Sequence, residues 1–340
     1  MSEPDRQLSG RGRRYLVLLG AAGLVLFGAL AGGLKAQSSL FYLELQAVGT
    51  YSTASDRVEL FSLMPDDVMQ KPSLGFDFVQ RLTGKTRDFG LLAVQARLAY
   101  DQGGHKAEPQ LYNAYVRLKP RFANIWIGHN KPAMGLASTL DNHAALLPDP
   151  AMMHFGFDRD WGIGLDRDFA WGGVAASLTA GTGMSLHFLG NYLAAARIFK
   201  GVLARDNYSV GLSLSQGNTF ETTGYDLGAP EPATWTAAGL DLSSVWRNWE
   251  NRGEILVGRR DGAGTFLLFW RSGLAVLEEG RLKLEAQPAL TRSAGAWHYS
   301  LGSGLTYLLN ADLTSRFMVF YDQERHDARF AVQVYYYKRL

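Results

Sequence analysis

Residues 329–340, RFAVQVYYYKRL, contain the alternation that decides the fold. One set of alternate positions carries Phe330, Val332, Val334 and Tyr336, and the other carries Arg329, Ala331, Gln333, Tyr335 and Tyr337. Successive side chains of a β-strand point to opposite faces of the sheet. The stretch therefore predicts a strand with one apolar face and one mixed face.

The same period of two recurs along the chain after residue 36, whereas no helical period is sustained there. Sixteen candidate strands result, at residues 41–52, 73–83, 88–101, 109–119, 122–130, 160–169, 172–182, 191–201, 206–217, 233–245, 250–260, 264–276, 281–291, 296–308, 312–323 and 327–338. No apolar run after residue 36 reaches the 18 or so residues that a spanning helix needs. The pattern is typical of an all-β protein.

The connections between these strands alternate in length. Every second connection is a short turn, and the long connections, at residues 53–72, 131–159 and 218–232, all have the other parity. Short periplasmic turns and longer extracellular loops are typical of outer-membrane barrels. We therefore predict a transmembrane antiparallel β-barrel of about 16 strands.

A barrel in lipid must close on itself, because every backbone polar group in hydrocarbon needs a partner within the protein. We therefore expect the last strand to pair with the first, near residues 41–51. Its apolar face would contact lipid and its mixed face would line the lumen. We expect Tyr335, Tyr336 and Tyr337 to lie in an interfacial aromatic girdle.

Composition narrows the function classes. Charged residues make up 19% of the 340 residues, below the roughly 25% of soluble domains, and the net charge of +2 gives no reason to expect a nucleic-acid partner. The absence of Cys excludes disulfides, thiolate metal sites and covalent haem. The alternative is a soluble, secreted all-β protein such as a sandwich or a solenoid. The absence of a constant repeat argues against a solenoid.

The N-terminus has the features of a secretory signal. Arg11, Arg13 and Arg14 precede an apolar stretch, and Ala36 provides a small residue before Gln37. This order predicts a signal peptide at residues 1–36, cleaved to leave a barrel at residues 37–340. An uncleaved membrane anchor is the alternative. The predicted location is the outer membrane of a Gram-negative bacterium.

Residues 122–135 read FANIWIGHNKPAMG, in which Gly128, Lys131 and Pro132 follow an amphipathic strand and lead into a long loop. This segment, with LYNAYVRL at residues 111–118, resembles the phosphate-selective porin group of outer-membrane channels. The resemblance implies a channel. It does not carry over ion selectivity, because the group's arginine ladder and lysine cluster cannot be placed here residue by residue.

The connection at residues 131–159 is the longest in the chain and is rich in apolar residues. Long loops without secondary structure are usually functional or disordered, and the apolar content argues against disorder. We expect the loop to fold inward and constrict the pore; an external cap or an oligomer contact is the alternative. The candidate constriction residues are His129, Lys131, His143 and His154.

Strand parity also predicts which charges line the lumen. The basic candidates are Arg81, Arg97, Arg117, Arg197, Arg252, Lys283, Arg316 and Arg329. The acidic candidates are Glu44, Asp77, Asp166, Asp168, Glu254 and Glu285. A lumen with both signs predicts weak selectivity, and the basic surplus favours anions. For each residue, pairing across strands within the wall is the alternative.

Other chemistry is sparse. His129, His143 and His154 accompany Met134, Met152 and Met153, ligand types that suit copper, but the irregular spacing favours loop packing. We therefore predict no metal site and no cofactor. The chain has no Gly-x-Ser-x-Gly nucleophile elbow, and we predict that it is not an enzyme.

These features predict a porin, a channel for passive diffusion of small hydrophilic solutes or ions with a mild preference for anions. The expected partners are outer-membrane lipids and those solutes, with a homotrimer suggested by fold analogy. The alternative is a barrel that does not conduct, acting as a scaffold for a periplasmic partner such as a cytochrome or as an outer-membrane enzyme.

Overall fold

The computed structural model describes residues 39–65, 70–84, 87–140 and 145–340. These residues form a closed, antiparallel barrel of 16 long strands, which confirms the predicted fold and strand count. The predicted signal peptide at residues 1–36 and the candidate His143 lie outside the described residues.

In chain order the long strands are β1 (Ser39–Ser52), β3 (Ser73–Thr83), β4 (Asp88–Asp101), β5 (Lys106–Leu118), β6 (Asn124–Asn130), β7 (Asp160–Phe169), β8 (Gly172–Thr179), β9 (Tyr192–Lys200), β10 (Tyr208–Thr219), β13 (Ala233–Trp246), β14 (Trp249–Arg260), β15 (Ala263–Val276), β16 (Leu282–Ser293), β17 (Ala296–Leu308), β18 (Leu313–Asp322) and β19 (Asp327–Arg339). The three short strands are β2 (Arg57–Glu59), β11 (Thr222–Thr223) and β12 (Asp226–Leu227). Single helical turns lie at Leu136–Ser138, Leu203–Asp206 and Glu278–Gly280. None of the helices in the described ranges is long and apolar enough to cross a membrane.

The barrel closes where the sequence predicts. β19 pairs antiparallel with β1, from Tyr42 opposite Arg339 to Ser52 opposite Arg329. On its other side β1 pairs with β3, and every other long strand pairs with its neighbours in sequence. No long strand among the described residues is therefore left with an unpaired edge.

The two faces of β19 also follow the predicted alternation. Phe330, Val332 and Val334 are exposed on the outer surface, whereas Ala331 and Gln333 are buried on the inner face. Large apolar side chains are exposed on the outside of the other strands in the same way, among them Leu45, Ile127, Leu178, Leu214, Val257 and Leu268. The outer surface is thus an apolar band with few charges to desolvate.

The predicted aromatic girdle is wrong for Tyr335 and Tyr337. Both lie on the inner face, because they share the parity of Gln333, and only Tyr336 has the parity of the outer face. Tyr337 stacks on Tyr42 with ring centroids 4.7 Å apart, and Tyr335 lies 6.0 Å from Tyr337. Tyr42, Tyr337 and Tyr335 therefore form a column of aromatic rings on the inner face.

The ends of the barrel differ as expected. At one end, which we name the turn end, the connections are short, for example residues 170–171 and 247–248. At the other end, the loop end, the longest connections are residues 53–72, 131–159, 180–191 and 220–232. The longest of these reaches into the barrel.

Candidate pore and its inner loop

The described parts of the 131–159 loop pack against the inner wall. Met134, Leu136, Leu140 and Phe155 of the loop are buried in one cluster with eight wall residues. These eight residues, which we name the loop seat, are Leu193, Ala195, Trp235, Ala237, Leu256, Leu267, Phe269 and Ala289. The loop's apolar side chains are therefore buried by a matching apolar patch inside the barrel.

Cross-strand register builds the loop seat. Leu256 of β14 lies opposite Leu267 of β15, and Phe269 lies opposite Ala289 of β16, so their side chains share the inner face. A second cluster joins the returning half of the loop to the last strands, where Leu146 and Leu147 pack with the inward side chains Met318, Phe320 and Ala331.

Polar contacts fix the loop on this wall. Glu254 accepts the backbone N–H of Leu136 at 3.2 Å, and Ser177 Oγ accepts that of Ala133 at 2.9 Å. On the opposite side Arg271 Nη2 donates to the carbonyl oxygens of Leu147 at 3.0 Å and Pro148 at 2.9 Å.

Gln287 completes this second contact. Its Nε2 donates to the Pro148 carbonyl at 2.8 Å, while its Oε1 accepts from Arg271 Nε at 2.6 Å. We name Arg271 and Gln287 the carbonyl clamp. Because the clamp satisfies carbonyls that the loop would otherwise bury unpaired, it holds the segment at residues 147–148 in place.

A cavity of 660 Å³, the pore cavity, lies between this loop and the charged part of the inner wall. The loop contributes Thr139, Leu140, Ala145, Leu146 and Leu147 to its lining. The basic lining residues are Arg159, Arg252, Arg271, Lys283 and Arg316, and the acidic ones are Asp77, Glu250 and Glu285. The charged lining is mixed in sign, with more cations than anions.

The carboxylates of this lining are largely neutralised by their neighbours. Glu250 accepts from Arg252 at 2.6 Å and Lys283 at 2.9 Å, and Lys283 also lies 3.0 Å from Glu285.

Two arginines of this lining bind neutral oxygens instead of forming salt bridges. Arg271 donates to the Leu147 carbonyl oxygen at 3.0 Å and to Gln287 Oε1 at 2.6 Å, and Arg316 donates to Gln333 Oε1 at 2.8 Å. Neither pairs with a carboxylate within 4.0 Å among the residues that the structure describes. Both guanidinium groups therefore contribute positive charge to the cavity, which Glu285 offsets only in part because it also pairs with Lys283.

The predicted constriction residues fall in three different places. His129 is fully buried, with Nδ1 3.0 Å from the Tyr112 carbonyl and its ring 4.9 Å from that of Trp161. Lys131 donates to the Leu140 carbonyl and lies 4.0 Å from Asp158, so its ammonium is engaged within the loop. His154 is exposed and lines a smaller cavity at the loop end.

The predicted lumen charges all have the parity of the inner face, and several lie in wall pairs. Arg97 pairs with Glu44, Arg197 with Asp241 at 2.6 Å, Arg117 with Asp166 at 3.9 Å, and Arg329 with Glu59 at 2.8 Å and Asp327 at 2.7 Å. Lys283, Glu285 and Arg316 instead line the pore cavity. Sequence reasoning missed Arg271, because Leu267 and Phe269 on the same face made both faces of β15 apolar near the loop end.

The loop end has its own buried interior. Tyr112, at a bulge of β5, packs with Met184 and Tyr225. The Leu111 N–H donates to Tyr225 Oη at 2.6 Å, and burial raises the pKa of Tyr225 to about 12, so the phenol stays protonated. These contacts tie the 220–232 connection to the wall.

No protein-family model matches the chain, and no curated protein matches it in sequence. Solved structures do match. OmpF of Salmonella typhi in complex with daunomycin aligns with a TM-score of 0.65 at 12% identity, over 88% of this chain and 97% of that one. The loop L8 deletion mutant of OmpT, an outer membrane protein of Vibrio cholerae, gives 0.63 at 11% identity, over 88% and 99%.

An anion-selective porin from Comamonas acidovorans is also similar, with a TM-score of 0.60 at 14% identity, over 89% of this chain and 99% of that one. At these identities the similarity shows the fold. The chain has the barrel fold that outer-membrane porins share.

Proposed function

We propose that this protein is an outer-membrane channel for passive diffusion of small hydrophilic solutes, with a mild preference for anions. The pore cavity carries the proposal: it lies inside a closed barrel and is lined by five basic and three acidic side chains. A wall with both signs attracts hydrated ions without binding them tightly. Arg271 and Arg316, which form no salt bridge among the described residues, bias the cavity toward anions.

Conductance in planar lipid bilayers tests this function. Full-length protein extracted from membranes should give discrete open steps. In a tenfold KCl gradient the reversal potential should have the sign of a chloride preference. A barrel that folds but never conducts would contradict the proposal and favour the scaffold or enzyme alternatives.

The same proposal includes location and processing. An apolar outer surface and the export signal predicted at residues 1–36 suit insertion into the outer membrane, with its lipids as partners. N-terminal sequencing of protein from outer membranes should begin close to Gln37. Recovery of intact Met1 from that fraction would contradict cleavage.

We further propose that the inner loop sets the narrowest part of the pore. Deleting residues 136–152 removes Leu136 and Leu140, which pack on the loop seat, and should raise single-channel conductance. The deletion also exposes Leu267 and Phe269, so folding must be verified first by heat-modifiable mobility on gels. A folded deletion variant with unchanged conductance would place the restriction elsewhere.

Oligomeric state is the last part of the proposal. A trimer form of Vibrio cholerae OmpT is a structural neighbour, and we extend that assembly to this chain by fold analogy. Native mass spectrometry from detergent should show three copies. A single copy under conditions that preserve channel activity would refute the trimer.

A further inference from the structure

Methionines are concentrated around a second cavity, of 130 Å³, at the loop end of the barrel. Its lining includes Met64, Met134, Met152 and Met184, which are four of the eight methionines in the chain. They belong to three different connections, at residues 53–72, 131–159 and 180–191. His154 adds an imidazole to the same lining. We name this cavity the methionine pocket.

The pocket lies where three separately packed groups meet. Met134 is buried in the loop-seat cluster, Met64 and Met152 pack at the second cluster, and Met184 packs beside Tyr112. Methionine is flexible and usually fills gaps in a core. Here four methionines instead border a half-open cleft that they do not fill.

The backbone around Met184 is fixed by hydrogen bonds. The Asp160 carboxylate accepts the N–H groups of Gly181 at 2.7 Å, Thr182 at 3.3 Å and Gly183 at 3.2 Å, and Trp161 Nε1 donates to the Met184 carbonyl at 3.2 Å. These bonds hold the segment that carries Met184 against the wall.

Met134 depends on a glycine. A Cβ built at Gly156, whose φ is 105°, would lie 3.0 Å from the Met134 sulfur. A side chain at position 156 would therefore crowd the thioether.

The electrostatics favour a soft, singly charged ligand. The charged residues of the lining are paired, Arg159 with Asp158 at 2.8 Å and Arg260 with Glu221 at 3.9 Å. No group of three or more His, Asp or Glu side chains within the described ranges could hold a metal ion. A hard or borderline divalent cation therefore finds few anionic ligands here, whereas neutral thioethers and an imidazole suit Cu(I).

We propose that the methionine pocket binds a soft monovalent cation, Cu(I) or its analogue Ag(I), through the thioethers of Met64, Met134, Met152 and Met184 and the imidazole of His154. The sequence predicts loop packing for these residues, because the spacing of Met134, Met152 and His154 within the 131–159 loop is irregular. The fold adds Met64 and Met184 from two other connections. The linings of the pocket and the pore cavity share only Arg159, and no proposed ligand lines the pore cavity, so the proposal does not depend on conduction.

Silver titration of the full chain in detergent tests the site. Isothermal titration calorimetry with silver nitrate should show one saturable site per chain, and X-ray absorption at the silver edge should show sulfur ligands. The triple variant M134L, M152L, M184L keeps side-chain volume and removes three sulfur atoms. It should bind about a hundredfold more weakly, and His154→Ala about tenfold more weakly.

Met318→Leu is the matched control. Met318 is also a buried methionine near the returning loop, but it does not line the pocket, so Ag(I) affinity should be unchanged. The absence of a saturable site, equal losses in the control and the triple variant, or displacement of Ag(I) by equimolar Zn(II) would each overturn the proposal. Uptake of an apolar fluorescent probe without Ag(I) binding would identify the pocket as a site for apolar molecules and would also refute it.

Discussion

The inner face of the barrel has two regions of opposite character on the same strands. Toward the loop end, Leu256, Leu267 and Phe269 form part of the loop seat and are buried under the loop. Toward the turn end of these strands, Arg252 and Arg271 line the pore cavity. Alternation decides which face a side chain takes. Whether the inward face behaves as a protein core or as the wall of an open cavity depends on what covers it.

Charged side chains mark the boundary between these two regions. Glu254 lies between Leu256 and Arg252 on β14 and accepts the Leu136 N–H, while the Arg197–Asp241 pair lies on the neighbouring wall. These side chains are buried, yet each has a hydrogen-bond partner, so the change from apolar core to polar wall leaves their polar groups satisfied. Inward parity alone therefore does not predict tolerance to substitution.

Phe269→Arg should give the largest effect. It places an unpaired charge in the loop seat, and we expect a loss of about 4 kcal/mol in the free energy of unfolding, or no folded barrel. Urea unfolding in lipid vesicles measures the change.

Thr306→Arg is the matched control for this substitution. Thr306 has the same inward parity but lines the pore cavity, where water solvates the new charge. Its effect should stay within about 0.5 kcal/mol. Equal damage from the two variants would show that the inner face is uniform and would remove the distinction between seat and cavity.

Val332→Arg tests the outer face, and the expected effect is the next largest. Val332 is half-exposed on the apolar outer surface, and an arginine near the bilayer midplane costs about 2–4 kcal/mol. The same vesicle assay measures it, with Val332→Leu as the control. Normal stability of the arginine variant would contradict the assignment of this face to lipid.

Arg271→Met should loosen the carbonyl clamp. It removes the charged donors to Leu147 and Pro148, and we expect about 2 kcal/mol of lost stability together with a noisier, altered single-channel conductance. Arg316→Met is the control, since Arg316 donates to Gln333 on the wall. Both variants should shift the reversal potential toward cations, and only the clamp variant should change the conductance. Identical traces would show that the clamp does not hold the loop.

Lys131→Glu should give the smallest effect. Lys131 is bound to the Leu140 carbonyl and lies 4.0 Å from Asp158, so its charge is partly compensated before any ion arrives. We expect a shift of the reversal potential toward cations that is smaller than the shift for Arg316→Met. The shift should shrink at 1 M salt, where the screening length is about 3 Å. A shift larger than that of Arg316→Met would place Lys131 at the narrowest point.

Much of the fold follows from local alternation. The period of two in β19 predicts its faces and its pairing with β1, because lipid demands closure. The inner partners could not be predicted in this way. Parity alone suggests that the Met318→Arg and Gln333→Arg variants fold normally. In the structure, however, Met318 packs against Leu146 and Leu147 of the loop, and Gln333 forms hydrogen bonds with Gln70 and Arg316. We therefore expect both substitutions to destabilise the barrel.

The site was less predictable than the fold because contacts between distant connections determine it. The methionine pocket combines three connections that are far apart in sequence, and no spacing rule joins Met64 to Met184. The carbonyl clamp uses backbone oxygens of Leu147 and Pro148, which residue identity does not specify.

The pairing of β1 with β19 has a consequence for the time course of folding. Almost the whole described chain lies between Tyr42 and its partner Arg339. The β1–β19 seam, where the barrel closes, therefore joins the two described strands that are most distant in sequence. Each doubling of such a loop adds only about 0.6 kcal/mol of closure entropy, but contacts of this range slow folding. Until the seam forms, two strand edges remain open to pairing with other chains. The barrel should therefore be most vulnerable to aggregation during assembly and resistant once closed.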